Sequence, residues 1–209
     1  MGYFVNAAAR AMRSGQFNCI SLLQSSCYTW SILPQQLLHG IQEELTRHGK
    51  HLVLSELPDE KLVSEGFVPK ILTELSADGL LVNYNTNIPQ KMIELISRHR
   101  ITSVWINSKQ KENCVHPDDY DGGIQAAEYL LNLGHRRIAF ARYTRGNHYS
   151  AQDRVDGYSE VMREAGLAID VFGEEVDLYY AGKLSIEKLS QRWRPTAVIC
   201  YTEKEFLGL

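Results

Sequence analysis

Two periodicities alternate along this chain. Short runs rich in Leu, Ile and Val read as strands: CISLLQS from Cys19, HLVLSEL from His51, ADGLLVNY from Ala77, SVWINS from Ser103, HRRIAFAR from His135 and PTAVICY from Pro195. Amphipathic segments lie between them. Gln35 to His48 repeats apolar residues at Leu37, Leu38, Ile41 and Leu45, opens behind Pro34 and stops at Gly49. Further helices are predicted over Lys61 to Ser76 (interrupted by Gly66 and Pro69), Pro89 to His99, Asp119 or Tyr120 to Gly134, Ser150 to Gly166 and Gly182 to Trp193. VFGEEVDLYY from Val171 reads as strand or extended chain, and EKEFLGL opens another helix. Lys109 to Pro117 and Tyr143 to Tyr149 are polar loops. Strand–helix alternation of this kind predicts an α/β fold, with parallel sheets and crossover helices.

The amino-terminal segment departs from this pattern. Asn6 can cap a short helix from Ala7 to Met12, and Gly15 ends it. Arg10 and Arg13 make it basic, and no acidic residue occurs before Glu43. Two helical turns are marginal alone in water, so this helix needs a partner surface. Small alanines, one flexible apolar side chain and arginines suit a helix laid against the minor groove of DNA. The bland alternative is an arm packed on its own domain, or a frayed terminus.

The chain is long enough, at 209 residues, for one large domain or two small ones. A formal net charge of -3 argues against coating nucleic acid by bulk electrostatics, so any DNA contact is local to the arm. Cys19, Cys27, Cys114 and Cys200 are scattered without a CxxC pair, which fits reduced thiols better than a disulfide frame or a zinc site. Neither a signal peptide nor a membrane-length apolar run is present, and a cytoplasmic protein without a membrane partner is expected.

GYFVNAAARAMRSG resembles the hinge segment of the LacI/GalR family of bacterial transcription regulators, which links a helix-turn-helix head to an effector-binding core. SADGLLVNY, DDYDGG, LGHRRIAF, SAQDRVDGY and RPTAVICY extend the resemblance in order along the chain. It implies a type I periplasmic-binding-protein-like fold of two lobes. The hinge would be residues 1–16, the amino-terminal lobe 17–142, and a partial carboxyl-terminal lobe 143–209. A helix-turn-helix head would precede Met1, and the rest of the second lobe would follow Leu209. By the same resemblance Asn6, Ala9, Arg10 and Met12 contact DNA, with Met12 as the wedge between base pairs and Ala9 letting paired helices approach. Val5 stands where many relatives have proline. The implied protein is a homodimer, a regulator and most simply a repressor, whose core binds a small effector, a sugar by preference, between its lobes. No cofactor is implied.

Ligands of open parallel sheets bind beyond the carboxyl ends of strands, and several candidates fall there. Ser25 and Trp30 line the exit of the first strand; Trp30 either stacks on a sugar ring or anchors the loop. Of the carboxylates in HPDDYDGG one caps the helix, and Asp121 aligns with an acidic residue that binds sugar hydroxyls in the family, with Gly122 and Gly123 permitting close backbone approach. In SAQDRVDGY, Arg154 would aim its planar fork at ligand oxygens and Ser150 would add a hydroxyl or cap its helix. Thr202 and Glu203 replace the family's Asn-Asp, which changes the donor set at that position.

No GxSxG, GxxxxGK[ST] or HExxH motif is present, and an enzyme is not expected. Two non-catalytic alternatives remain at this point: a sugar-binding protein of a transport system, which shares the core pattern, and a ligand-binding module without a DNA role.

Overall fold

A computed structural model describes residues 14–27, 31–57, 77–144, 146–175, 183, 187–189 and 194–202. The expected hinge helix and the expected helix over Lys61 to Ser76 lie outside the described residues, as does most of Gly182 to Trp193. The chain divides into two compact units, Met1–His116 and Pro117–Leu209.

In the first unit, β1 (Cys19–Ser25), β2 (His51–Leu57), β3 (Gly79–Asn83), β4 (Ser103–Ile106) and β5 (Cys114–Val115) form one parallel sheet in the order β2-β1-β3-β4-β5. Cys19 pairs with His51, and Ile20 with Gly79. Two helices are described here, α1 (Gln35–Arg47) and α2 (Gln90–Arg98). Pro34 and Pro89 stand immediately before them, where a fixed φ and a missing N–H cost nothing. Met92, Leu95 and Ile96 on α2 share one face and are buried, where they join Leu23, Leu57, Leu80, Val82, Tyr84 and Trp105 in the core. Each such side chain contributes about 1.5–3 kcal/mol of transfer free energy. α1 buries no residue. The stretch expected as a loop from Lys109 contains β5, which is only two residues long and pairs with β4 at Trp105 and Ile106.

In the second unit, β6 (Ile138–Ala141), β7 (Asp170–Phe172) and β8 (Ala197–Cys200) form a parallel sheet in the order β7-β6-β8. All four residues of β6 are buried, as a central parallel strand requires. Two helices, α3 (Asp119–Asn132) and α4 (Tyr149–Glu164), pack on one another. Phe140, Tyr158, Val155, Val161, Met162, Ala127 and Ile138 fill the core beneath them. The Tyr158 hydroxyl donates to Ile138 O at 2.8 Å and accepts from Asp170 N at 3.1 Å, which satisfies a phenol buried against β6 and β7.

This arrangement corrects the expected boundary at 142/143. The helix and strand from Asp119 to Ala141 belong to the second unit, because β6 pairs with β7 and β8 and α3 packs on α4. His135 to Arg137 precede the strand rather than opening it. Arg136 there donates to Leu131 O at 2.9 Å, serving a carbonyl near the end of α3.

Candidate functional site

Helices of a parallel βα unit run against the strands, so helix starts gather at the carboxyl edge of the sheet. In the second unit this edge carries a connected polar group. Asp119 opens α3, and its side chain is only 2% exposed. Arg154, on the second turn of α4, donates from Nε to Asp119 Oδ1 at 2.8 Å and from Nη1 to Tyr201 O at 3.0 Å. Its guanidinium also stands 5.3 Å from the Tyr201 ring centroid. Tyr201 directly follows β8, and its hydroxyl shares a hydrogen bond of 2.8 Å with Ser150 Oγ. Asp119 Oδ2 is buried without a hydrogen-bond partner.

The start of α4 is held by an imidazole. His148 Nδ1 accepts from Ser150 N at 3.4 Å and lies 2.6 Å from Ser150 Oγ, so His148 is the cap and Ser150 the linked hydroxyl. The His148 and Tyr149 rings lie 4.5 Å apart. Burial pushes the Tyr149 phenol well above its ordinary range, and the nearby charge of Asp119 pushes it the same way. The phenol therefore stays protonated at every physiological pH.

Two glycines bring these side chains into register. A Cβ on Gly123 would stand 2.2 Å from Arg154 O, and one on Gly157 would stand 2.1 Å from Tyr120 O. α3 and α4 thus meet backbone to backbone, each through the glycine three residues beyond a residue whose carbonyl faces the other's glycine. The close approach expected at Gly123 is made by a neighbouring helix rather than by a ligand. Gly122 faces open space.

Of the predicted residues, Ser150 and Arg154 join this group and Thr202 follows it at the end of β8. Asp121 does not join it. It is exposed, its amide is bound by the capping carboxylate of Asp118 at 3.0 Å, and its Oδ2 accepts from Gln125 on the same helix. Asp119, Tyr149 and Tyr201 were not anticipated. The run DDYD contained the signal for Asp119, but choosing among its carboxylates needs the phase of the helix against α4.

The first unit ends its sheet in a second polar edge. Ser25 closes β1, with Ser25 N donating to Ser31 Oγ at 2.7 Å and Ser25 Oγ accepting from Cys27 N at 2.9 Å, so the predicted serine shapes the loop. Asn83 Nδ2 donates to Ser31 O at 2.8 Å and Asn85 Nδ2 to Ile32 O at 2.9 Å. Asn83 Oδ1, Asn85 Oδ1 and Thr86 Oγ1 are buried without hydrogen-bond partners. Trp30 lies outside the described residues, as do Asn6, Ala9, Arg10 and Met12. Among the described residues no cluster of His, Cys, Asp and Glu is placed to hold a metal ion, and no helix is long and apolar enough to cross a membrane.

Residues 22–209 match the family described as periplasmic binding proteins and sugar binding domain of LacI family. The chain belongs to that family. Among sequences, it is 23% identical over 219 residues to the HTH-type transcriptional repressor PurR of Vibrio campbellii, covering 100% of this chain and 63% of the relative. It is 25% identical over 215 residues to catabolite control protein A of Priestia megaterium, covering 100% of this chain and 64% of that protein. The LacI-family chain thus spans somewhat under two thirds of these curated relatives. Among solved structures, a regulatory protein of LacI family from Chloroflexus aggregans superposes with a TM-score of 0.74 at 20% identity, over 91% of this chain and 70% of the other. A transcriptional regulator CelR–cellobiose complex superposes with a TM-score of 0.73 at 18% identity, over 96% and 65%. These likenesses establish the periplasmic-binding-protein-like α/β fold.

Proposed function

We propose that this chain is the effector-binding part of a transcription regulator, and that its effector is a neutral, hydroxyl-rich molecule of the carbohydrate class. One observation carries this reading. At the carboxyl edge of each sheet, considered separately, buried acceptor oxygens lack hydrogen-bond partners: Asn83 Oδ1 and Asn85 Oδ1, beside the Thr86 hydroxyl, in the first unit, and Asp119 Oδ2 in the second. Leaving such atoms unmet costs about 1–3 kcal/mol each, so the matching ligand is one that donates several hydrogen bonds. Arg154 already gives Nε and Nη1 to the protein, and Asp119 beside it matches its charge. Hydroxyl groups of a sugar meet this description. The cellobiose named for the CelR structure and the family's description as a sugar binding domain support the same class.

The basic arm supplies the output. Asn6, Ala9, Arg10 and Met12 form the segment that reaches operator DNA in a homodimer bound to a near-palindromic site. The effector changes DNA affinity by binding one state of the protein more tightly than another. The protein works in the cytoplasm and needs no cofactor for this.

Calorimetric titration against a panel of neutral saccharides, sugar phosphates and purine bases tests the proposal. A neutral saccharide should bind saturably, and Asn83→Ala and Asp119→Asn should each weaken it about tenfold or more. Binding of a purine or an anionic sugar alone would overturn the assignment. For the arm, Met12→Gly in a protein with a helix-turn-helix head should weaken operator binding and leave effector affinity unchanged. Equal operator affinity would remove the wedge role.

A further inference from the structure

The amino edge of the first sheet, opposite the polar edge, holds an ion pair that the effector reading does not use. Asp78 directly precedes β3, and its own amide donates to Cys19 O at 2.8 Å. Its carboxylate faces the Lys50 ammonium and the backbone amides of Phe17 and Asn18. Oδ1 accepts from the Phe17 amide at 2.6 Å, and Oδ2 accepts from Lys50 Nζ at 2.6 Å. The two side chains are 16% and 30% exposed, so the pair is partly desolvated. On the other flank of the same segment, His51 N donates to Asn18 O at 2.9 Å. Ser14 Oγ bonds both the amide and the carbonyl of Gln16 at 3.2 Å, and Gly15 and Asn18 take left-handed φ of 69° and 54°. The chain therefore turns twice just before β1, and Asp78 pins the second turn.

We propose that Asp78, oriented by Lys50, is the positioning residue that fixes the direction in which the amino-terminal arm leaves the first unit. The local sequence serves this arrangement. Gly79 lets β3 begin close to β4, since a Cβ there would stand 3.2 Å from Thr102 O, and this sets Asp78 at the sheet edge beneath Phe17. The carboxyl is held below its ordinary value, first by the Lys50 hydrogen bond and also by the Phe17 and Asn18 amides. It thus remains a charged acceptor across the neutral range. The Phe17 amide lies at an exposed position that water could satisfy, so the bond adds little to global stability. Its effect is geometric: it selects one backbone path among many for the segment leading to the arm. The importance of that path for DNA binding rests on the arm's proposed role.

Residue-resolved amide hydrogen exchange on the intact chain tests the anchor without DNA or ligand. The Phe17 amide should be protected in the wild type and exchange about tenfold or more faster in Asp78→Ala, with Leu22 and Val82 amides unchanged. Asp78→Asn keeps an acceptor oxygen and should retain part of the protection, and Lys50→Gln should fall between. Unchanged Phe17 exchange in Asp78→Ala with an intact core would overturn the proposal. Should Asp78→Ala disturb the core amides, wild-type Phe17 exchange in both Asp78→Asn and Lys50→Gln would overturn it equally. A second arm separates anchor from output: in the protein carrying a DNA-binding head, Asp78→Ala should weaken operator binding at unchanged effector affinity. A freed Phe17 amide with unchanged operator binding would leave the anchor standing and refute the importance of the arm's anchored path for DNA binding.

Discussion

Replacing Gly157 by alanine pits two opposing effects against each other, and the geometry of the α3–α4 crossing decides between them. In an exposed helix interior the change is favourable by up to about 1 kcal/mol, because alanine has less backbone entropy to lose. At Gly157 the new methyl would stand 2.1 Å from Tyr120 O, 3.0 Å from Ile124 N and 3.1 Å from Tyr120 C, all backbone atoms with no rotamer to yield. Restoring a contact of 3.4 Å requires the helices to part by about 1.3 Å, the difference between those two distances. A gap of that size forfeits a quarter to a half or more of each dispersion contact across the seam, where Val155, Tyr158, Val161 and Met162 meet Ala127. Overpacking of this kind costs about 3 kcal/mol, leaving a net loss of about 2 kcal/mol after the gain in propensity. Urea denaturation followed by circular dichroism should therefore show the midpoint falling by about 1 M. Gly122→Ala is the internal control: nothing lies within 4 Å of its Cβ position, so that variant should be as stable as the wild type or slightly more so. If Gly157→Ala unfolded at or above the wild-type midpoint, the backbone-to-backbone crossing would be wrong, and with it the reason Arg154 and Asp119 come into register.

Two further outcomes follow from the same unit. Arg154→Ala strands a carboxylate that is 2% exposed and should destabilise the fold by about 3 kcal/mol, the low end for a broken buried pair because the arginine is itself 39% exposed. Adding Asp119→Asn should recover part of that loss in thermal melts, and a double variant no better than the single one would argue against the pair. The phenols of Tyr149 and Tyr158 are both raised, chiefly by burial, so their contribution is intact below the unfolded value of about 10 and is lost as pH climbs toward the folded values. Melting temperature should fall steeply above about pH 10, and Tyr158→Phe should flatten that fall; an unaltered alkaline limb would exclude the buried phenol as its cause.

How far the chain could be read in advance depended on the range of the interactions involved. Strand and helix periods are local, and so are the helix starts at Pro34 and Pro89 and the stops at Gly49 and Gly134; the described elements match them to within a few residues. The hydrophobic pattern of Ile138–Ala141 says that this strand is buried on both sides. It carries no mark of which sheet receives it, and so the boundary at Pro117 was missed by some 25 residues.

The same division runs through the candidate site. The resemblance of SAQDRVDGY to its family segment drew attention to Arg154 and Ser150 as candidates, and residue type placed Asp119 within a short acidic run. Position around a helix axis chose among those carboxylates. Asp119 and Asp121 are separated by about 200° of helical rotation, so when one meets Arg154 the other must face water. The pairing of Asp119 with Arg154 spans 35 residues, and that of Asp78 with Phe17 spans 61. Composition and periodicity settle which segments curl or extend, because those preferences act between neighbours. Which charged groups find one another depends on chain segments brought together by packing, and no local preference encodes that distance.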